Sequence, residues 1–302
     1  MRRCAKWRGG HSFVLSWLRN KEGVAALCFL LPSVTGFVVF FLLPFGMGFY
    51  YSLLDSPVDG SFTGLTNYRD LLGNPMFRRA AVNTSLFTGI CVPLNMLLSL
   101  GLAMLLNRKL PFRSTYRIAF LTPLVIPVAS VVLVWKALFD LHGSLNGLLA
   151  GWGFVPKDWM ESEAALFVVM IVYLWKNIGY NMILFLAGLQ NIPNDYYEAA
   201  SIDGAGRFRQ WRSITLIYLT PTAFFVLLMS IINSFKVFRE TYLIAGEYPD
   251  ASIYMLQHYM NNMFKALDYQ KLTSAAFLMA LGIVLLVWFI FLIERRISKM
   301  FG

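Results

Sequence analysis

Residues Leu272–Ile293 read LTSAAFLMALGIVLLVWFIFLI, a stretch without a single Asp, Glu, Lys or Arg. As a helix rising ~1.5 Å per residue, it is long enough to cross a hydrocarbon layer of ~30 Å. Working outward, Val24–Leu54, Ala80–Asn107 and Ser213–Phe235 are equally free of charge. Two more stretches are apolar but interrupted: Ile118–Trp135 carries Pro123 and Pro127, and Ala164–Gly188 carries Lys176. Proline is tolerated in a membrane helix when neighbours satisfy the freed backbone groups. The expectation is an all-α, polytopic membrane protein with six spans, at about 24–54, 80–107, 118–138, 164–188, 213–236 and 272–293.

Composition agrees. Hydrophobic residues make up 58% of the 302 positions and charged residues 14%, against ~25% charged in ordinary soluble domains. A soluble core cannot absorb that much apolar surface, whereas a bilayer can. The formal charge of +10 follows the topology. With six spans, one side holds sixteen Lys and Arg: six from Arg2 to Lys21, four from Arg108 to Arg117, three at Arg207, Arg209 and Arg212, and three at Arg295, Arg296 and Lys299. The loops of the other side hold seven. That asymmetry puts both termini in the cytoplasm and explains the charge without nucleic acid. Residues 1–23 then form a basic cytoplasmic N-terminus ahead of one transmembrane domain, 24–302. The apolar segment that follows exceeds a 7–15-residue signal core, so it is expected to stay as the first helix.

Other chemistries find little support. Cys4, Cys28 and Cys91 show no paired spacing, so neither a disulfide framework nor a metal knot is indicated. His11, His142 and His258 are scattered over different loops, and Glu161 and Glu163 share an outer loop unsuited to a hydrolytic pair. The longest connections, Asp55–Arg79 and Arg239–Lys271, are too short for an independent core. In the second, Ile253, Leu256, Tyr259 and Met260 recur at helical spacing, which predicts an amphipathic helix at the outer interface.

The loop Asn191–Leu216 carries more information: NIPNDYYEAASIDGAGRFRQWRSITL. Pro193 bars helix on its N-side, Asn194 or Asp195 can cap the helix that follows, and Gly204 is a C-terminal stop. A second segment starts near Arg207 and runs toward the fifth span. The loop 191–213 is therefore a short helix–turn–helix. Ala199 and Ala200 are small enough to let another backbone approach, and Glu198 supplies a charge for a basic partner. On pattern alone, a plain amphipathic connector lying under the membrane fits as well.

This stretch resembles the EAA loop of binding-protein-dependent ABC permeases. The pattern is EAA, three residues, Gly, nine residues, then Ile-x-Leu-Pro; Glu198, Ala199, Ala200, Gly204, Ile214 and Leu216 fall on it. It departs at the last position, where Ile217 replaces proline and Pro221 follows one turn later. NTSLFTGI (83–90), YRIAFLTP (116–123), VWKALFD (134–140), WKNIGYNMILFLAGLQNIP (175–193) and INSFKVF (232–238) resemble the sugar-type permeases of that family, in the branch of the larger maltose permease and the glycerol-3-phosphate permease. The resemblance implies the type I ABC importer permease fold in a bacterial inner membrane. It also implies a second, homologous permease subunit, two cytoplasmic ABC ATPase subunits and an extracytoplasmic substrate-binding protein. Tyr197, Glu198, Ala199, Ala200, Asp203 and Gly204 would form the ATPase-docking surface. This chain has no phosphate-cradling glycine loop, so it is expected to bind no cofactor, and ATP with Mg would be used by the partner ATPase.

Lys176 is the most informative single residue. It lies ~12 residues, or ~18 Å, into the fourth span, where an ammonium must face the bundle interior or water and find a partner. Either it lines a sugar pathway with Asn177 and Tyr180, or it bonds carbonyls or a carboxylate of another helix. On the fifth span Ser230, Asn233 and Lys236 recur at three-residue spacing and share a face; a polar helix–helix contact is the alternative for Ser230 and Asn233. The resemblance favours the pathway, since the corresponding stretches of the maltose relative contact sugar. Tyr180 and Asn233 match its ligand types there, whereas Asn177 and Lys236 match only in position. A self-sufficient secondary transporter would carry carboxylates within its helices, and the uncharged spans hold none. An intramembrane enzyme would need a buried nucleophile–base pair, and none is visible.

Overall fold

The structure, a computed structural model, describes residues 21–108 and 110–301. Most of the basic N-terminus, with Cys4 and His11, and Lys109 lie outside the described residues.

The first span runs as α1 (Lys21–Phe37) through a widened turn at Val38–Leu42 into α2 (Leu43–Ser52). Pro44 lies in the first turn of α2. A proline has no N–H and crowds the carbonyl four residues back, so the helix widens just before it. Asn67 then ties the outer loop, its amide donating to the carbonyls of Ser52 (2.9 Å) and Leu54 (2.7 Å), and leads into α3 (Thr66–Gly73). The second long helix, α4 (Pro75–Leu106), starts before the expected Ala80. Asn74 Oδ1 accepts from the N–H groups of Met76 (2.8 Å) and Phe77 (3.3 Å), and Pro75 at the first position has no N–H to satisfy.

The third expected span, 118–138, is not one helix. The chain forms α5 (Arg113–Val125), breaks at Ile126 and Pro127, and resumes as α6 (Val128–Phe139) and α7 (Ser144–Ala150). Pro127 disfavours helix in the residue before it, and Ile126 is extended, with ψ 132°. Then come α8 (Ala165–Gln190), α9 (Asn194–Ile202) and α10 (Arg207–Gln210). A second widened turn, Trp211–Thr215, joins α10 to α11 (Leu216–Phe235). The chain closes with α12 (Phe238–Ala245), α13 (Leu256–Lys265) and α14 (Tyr269–Phe301). Among the described residues, six runs are long and apolar enough to cross a membrane: Cys28–Ser52, Pro75–Leu106, Val128–Ala150, Ala165–Gln190, Arg207–Ala245 and Tyr269–Arg296.

The core is the packing of α4, α8 and α11, where Ala103, Leu106, Met182, Phe185, Leu219 and Val226 are buried together. Glycine sets its tightness. A Cβ on Gly179 would overlap the Phe120 carbonyl of α5, and one on Gly188 would crowd the Thr222 side chain of α11. Without a hydrophobic drive between helices in lipid, such close approach supplies dispersion contact instead. The amphipathic segment forms as α13, but it does not lie free at an interface. Leu256 and Tyr259 are buried against α4 and α14, and Ile253 just before it is fully buried.

Candidate functional site

Lys176 stands in the middle of α8 with its side chain mostly buried, and its ammonium bonds the carboxylate of Glu240. Glu240 lies in the first turn of α12 and is 6% exposed. The uncharged stretch Ser213–Phe235 holds no carboxylate, as read from the sequence. The run Arg207–Ala245 continues past Phe235 through a turn into α12 and so includes Glu240, the carboxylate of another helix that was one of the two alternatives for Lys176. The pairing answers the burden of a buried ammonium: each charge satisfies the other where water cannot.

Around this pair lies a cavity of about 150 Å³ lined by Leu124, Tyr173, Lys176, Asn177, Asn233, Lys236, Val237, Arg239 and Glu240. Four of the six residues expected along a pathway, Lys176, Asn177, Asn233 and Lys236, therefore meet in one place. Asn177 is fixed there by donating from Nδ2 to the Tyr173 carbonyl at 2.8 Å. With three cations to one carboxylate, the lining is basic. Tyr180, one turn further along α8, does not line the cavity.

Ser230 is also elsewhere, 1% exposed and enclosed between helices. Its Oγ accepts from Asn181 Nδ2 at 2.7 Å, and its carbonyl accepts from Tyr173 Oη at 3.0 Å. Asn181 Nδ2 also reaches Asn95 Oδ1 at 3.2 Å, and Ser99 Oγ donates to that oxygen at 2.9 Å. Ser230 thus belongs to a polar seam joining α4, α8 and α11. The three-residue stripe is cut because Lys236 is already past the end of α11. Glu240, Tyr173, Asn95 and Asn181 were not singled out from the sequence. A signal for the first existed: a lone mid-span lysine demands a carboxylate, and Glu240 is the first acidic residue after Asp203.

The second candidate surface is the loop after α8. Helix α9 begins at Asn194, and no side chain caps it; Pro193, with φ −60° and ψ 136°, occupies the cap position expected of Asn194 or Asp195. Asp195 sits instead in the first turn, where its charge complements the helix dipole. Gly204 has φ +77°, and Ala205 N–H closes the helix on the Ala200 carbonyl at 2.8 Å, the left-handed stop that glycine permits. Gln210 Nε2 donates to Ser201 Oγ (2.9 Å) and the Ala205 carbonyl (3.0 Å), locking the two helical segments together. Tyr197 turns inward, its hydroxyl 2.9 Å from Thr215 Oγ1 and its ring against the core of α4, α8 and α11. Its structural part is to anchor the loop. Glu198, Ala199, Asp203 and Gly204 are exposed and Ala200 is half-buried, while Ile202 and Phe208 are 87% and 73% exposed.

Residues 95–299 match the family described as binding-protein-dependent transport system inner membrane component. The arabinooligosaccharides transport system permease protein AraP of Bacillus subtilis is 36% identical over 87% of this chain and 84% of its own. The trehalose/maltose transport system permease protein MalF of Thermococcus litoralis is 32% identical over 84% of this chain and 88% of its own. The sn-glycerol-3-phosphate transport system permease protein UgpA of Pectobacterium atrosepticum is 31% identical over 68% and 71%. In fold, the chain is similar to one from a bacterial ABC transporter involved in the import of alginate, with a TM-score of 0.79, 21% identity, and coverage of 94% of this chain and 99% of that one. With its six long apolar runs and these matches, the chain belongs to the family of binding-protein-dependent transport system inner membrane components, a multi-pass helical protein of the membrane.

Proposed function

We propose that this chain is one of two permease subunits in an ATP-driven importer of carbohydrate. It forms half of the translocation pathway and couples to a cytoplasmic ATPase through the loop from α9 to α10. The observation that carries the coupling role is the exposure of Ile202 and Phe208, at 87% and 73%, on a loop otherwise tied firmly to the core. Apolar side chains held rigidly in the open suit a partner surface, and Glu198 beside them offers a charge to it. The relatives named above serve arabinooligosaccharides, trehalose or maltose, and glycerol-3-phosphate, which supports a carbohydrate or polyol phosphate as cargo. The cavity at Lys176 suits the same cargo, because amides and charged donors at Asn177, Asn233, Lys236 and Arg239 match hydroxyl and acidic groups. An extracytoplasmic binding protein would deliver the cargo, and the loop and both termini would lie in the cytoplasm. Hydrolysis of ATP would rock the helices around the site.

Two variants test the two halves. Glu198→Arg should abolish uptake while the chain still reaches the membrane; normal uptake would remove the docking role. Asn233→Ala combined with Lys236→Gln should lower uptake while the assembled complex and its basal ATPase survive. Unchanged uptake in that double variant would move the cargo site out of this cavity.

A further inference from the structure

At the start of α5 two arginines crowd one uncharged group. Arg113 and Arg117 are one helical turn apart, so their side chains share a face. With its carboxamide oxygen turned toward them, Gln190 at the end of α8 accepts from Arg113 Nη2 at 2.6 Å and from Arg117 Nη2 at 3.0 Å. An amide oxygen carries no charge, so two guanidiniums converge without a counter-ion among the described residues. The ion pairs among the described residues join other groups, Lys176 with Glu240, Lys265 with Glu247 and Lys271 with Asp268. Nε of Arg113 and Nε of Arg117 are also buried without a partner among the described residues. Buried cationic donors left in this state are unfavourable until an anion meets them.

The surroundings narrow the kind of anion. Phe112, Tyr116 and Ile118, interleaved with the arginines, are 77%, 47% and 64% exposed. Ile118 also opens the uncharged stretch that leads toward Trp135. Guanidiniums fork onto phosphate oxygens more favourably than a point charge does. A ligand that is phosphate at one end and hydrocarbon at the other would satisfy both the forks and the apolar flank. An acidic side chain from a soluble partner would meet the forks but leave the flank beside Ile118 unused. We propose that Arg113, Arg117 and Gln190 form a binding site for the phosphate headgroup of an anionic phospholipid, with acyl chains along the exposed side of α5.

The test uses the chain in its detergent-purified complex, stripped of lipid, with bound lipid counted by native mass spectrometry. Phosphatidylglycerol should be retained saturably, about ten-fold or more over phosphatidylcholine of the same chain length. The variant Arg113→Gln with Arg117→Gln should lose that preference, and the paired Lys variant should keep part of it, since charge stays but the fork is lost. Equal retention of the two lipids, or an unchanged preference in the Gln variant, overturns the site. Displacement of phosphatidylglycerol by millimolar inorganic phosphate, with phosphate itself retained, would reassign the site to a free anion. Loss of a co-purifying ATPase from the Gln variant with lipid preference intact would assign the arginines to that partner. Should the double variant fail to fold, Arg117→Gln alone and the two wild-type comparisons still decide.

Discussion

Helices α8 and α14 are both long and apolar, yet they sit in opposite places. The most hydrophobic window of α14 has a mean hydropathy of 3.0, and none of it is buried within the chain; that of α8 has 1.4, and 44% is buried. The Cys28–Ser52 run follows α14, with 2.2 and 0%. A soluble protein would show the reverse order. In a bilayer, lipid tails satisfy leucine as well as another helix does, so hydropathy does not choose the interior. Small residues that let backbones meet and polar groups that need partners choose it instead. Helix α8 has Gly179, Gly188, Lys176, Asn177 and Asn181 for that purpose, and each meets a neighbouring element or its own backbone. At Gly282 of α14 an added Cβ meets nothing within 4 Å.

The sharpest way to break this contrast is a matched pair of glycine substitutions. Gly179→Val should collapse the α8–α5 crossing, a loss of more than ~3 kcal/mol, read as loss of folded protein after detergent extraction. Gly282→Val should leave extraction and thermal midpoint unchanged, and equal damage in both would erase the distinction. Next in size is the ion pair. Glu240→Ala strands the Lys176 ammonium and should cost about 3 kcal/mol, whereas adding Lys176→Met should recover most of it. A thermal-unfolding cycle that showed additivity would mean the two charges do not support each other. Asn181→Ala, which opens the seam to Ser230 and Asn95, should cost about 1 kcal/mol, against no change for Leu285→Ala on α14.

A pH-dependent effect lies outside the spans. His258 on α13 is fully buried, with its ring 4.7 Å from that of Phe238, and burial lowers its pKa to about 4 from the ordinary 6.5. The unfolded segment therefore binds a proton that the folded one refuses. Stability is fully present above about pH 6.5 and falls as pH drops from there toward 4. Hydrogen exchange in α13 should speed up from pH 7 to 5, after correction for intrinsic rates, and His258→Gln should flatten that dependence. A flat profile in the wild type would contradict the buried neutral ring.

Membrane character and the number of spans were readable from largely charge-free stretches because a bilayer excludes charge along a whole segment. The loop at Glu198 was readable because its breakers, Pro193 and Gly204, act locally. The broken third span was not. Pro32, Pro93, Pro123 and Pro221 all stay inside helices, whereas Pro127 interrupts the third span. Whether a proline breaks a membrane helix depends on which neighbours satisfy the freed carbonyls, and sequence does not name them. The partner of Lys176 lies 64 residues away, beyond a turn whose direction no local pattern fixes. For Ser230, helical spacing identified a shared face but not that α8 already occupied its near end.

As proposed, this chain is a permease subunit that cannot work alone. The most direct measurement is its capture under mild detergent from native membranes, with each co-purifying protein identified. The prediction is recovery of a second, homologous permease and an ATPase, with ATP hydrolysis by the captured complex stimulated by an extracytoplasmic binding protein. Recovery of the chain alone, stable and able to move solute in vesicles without an ATPase, would contradict it.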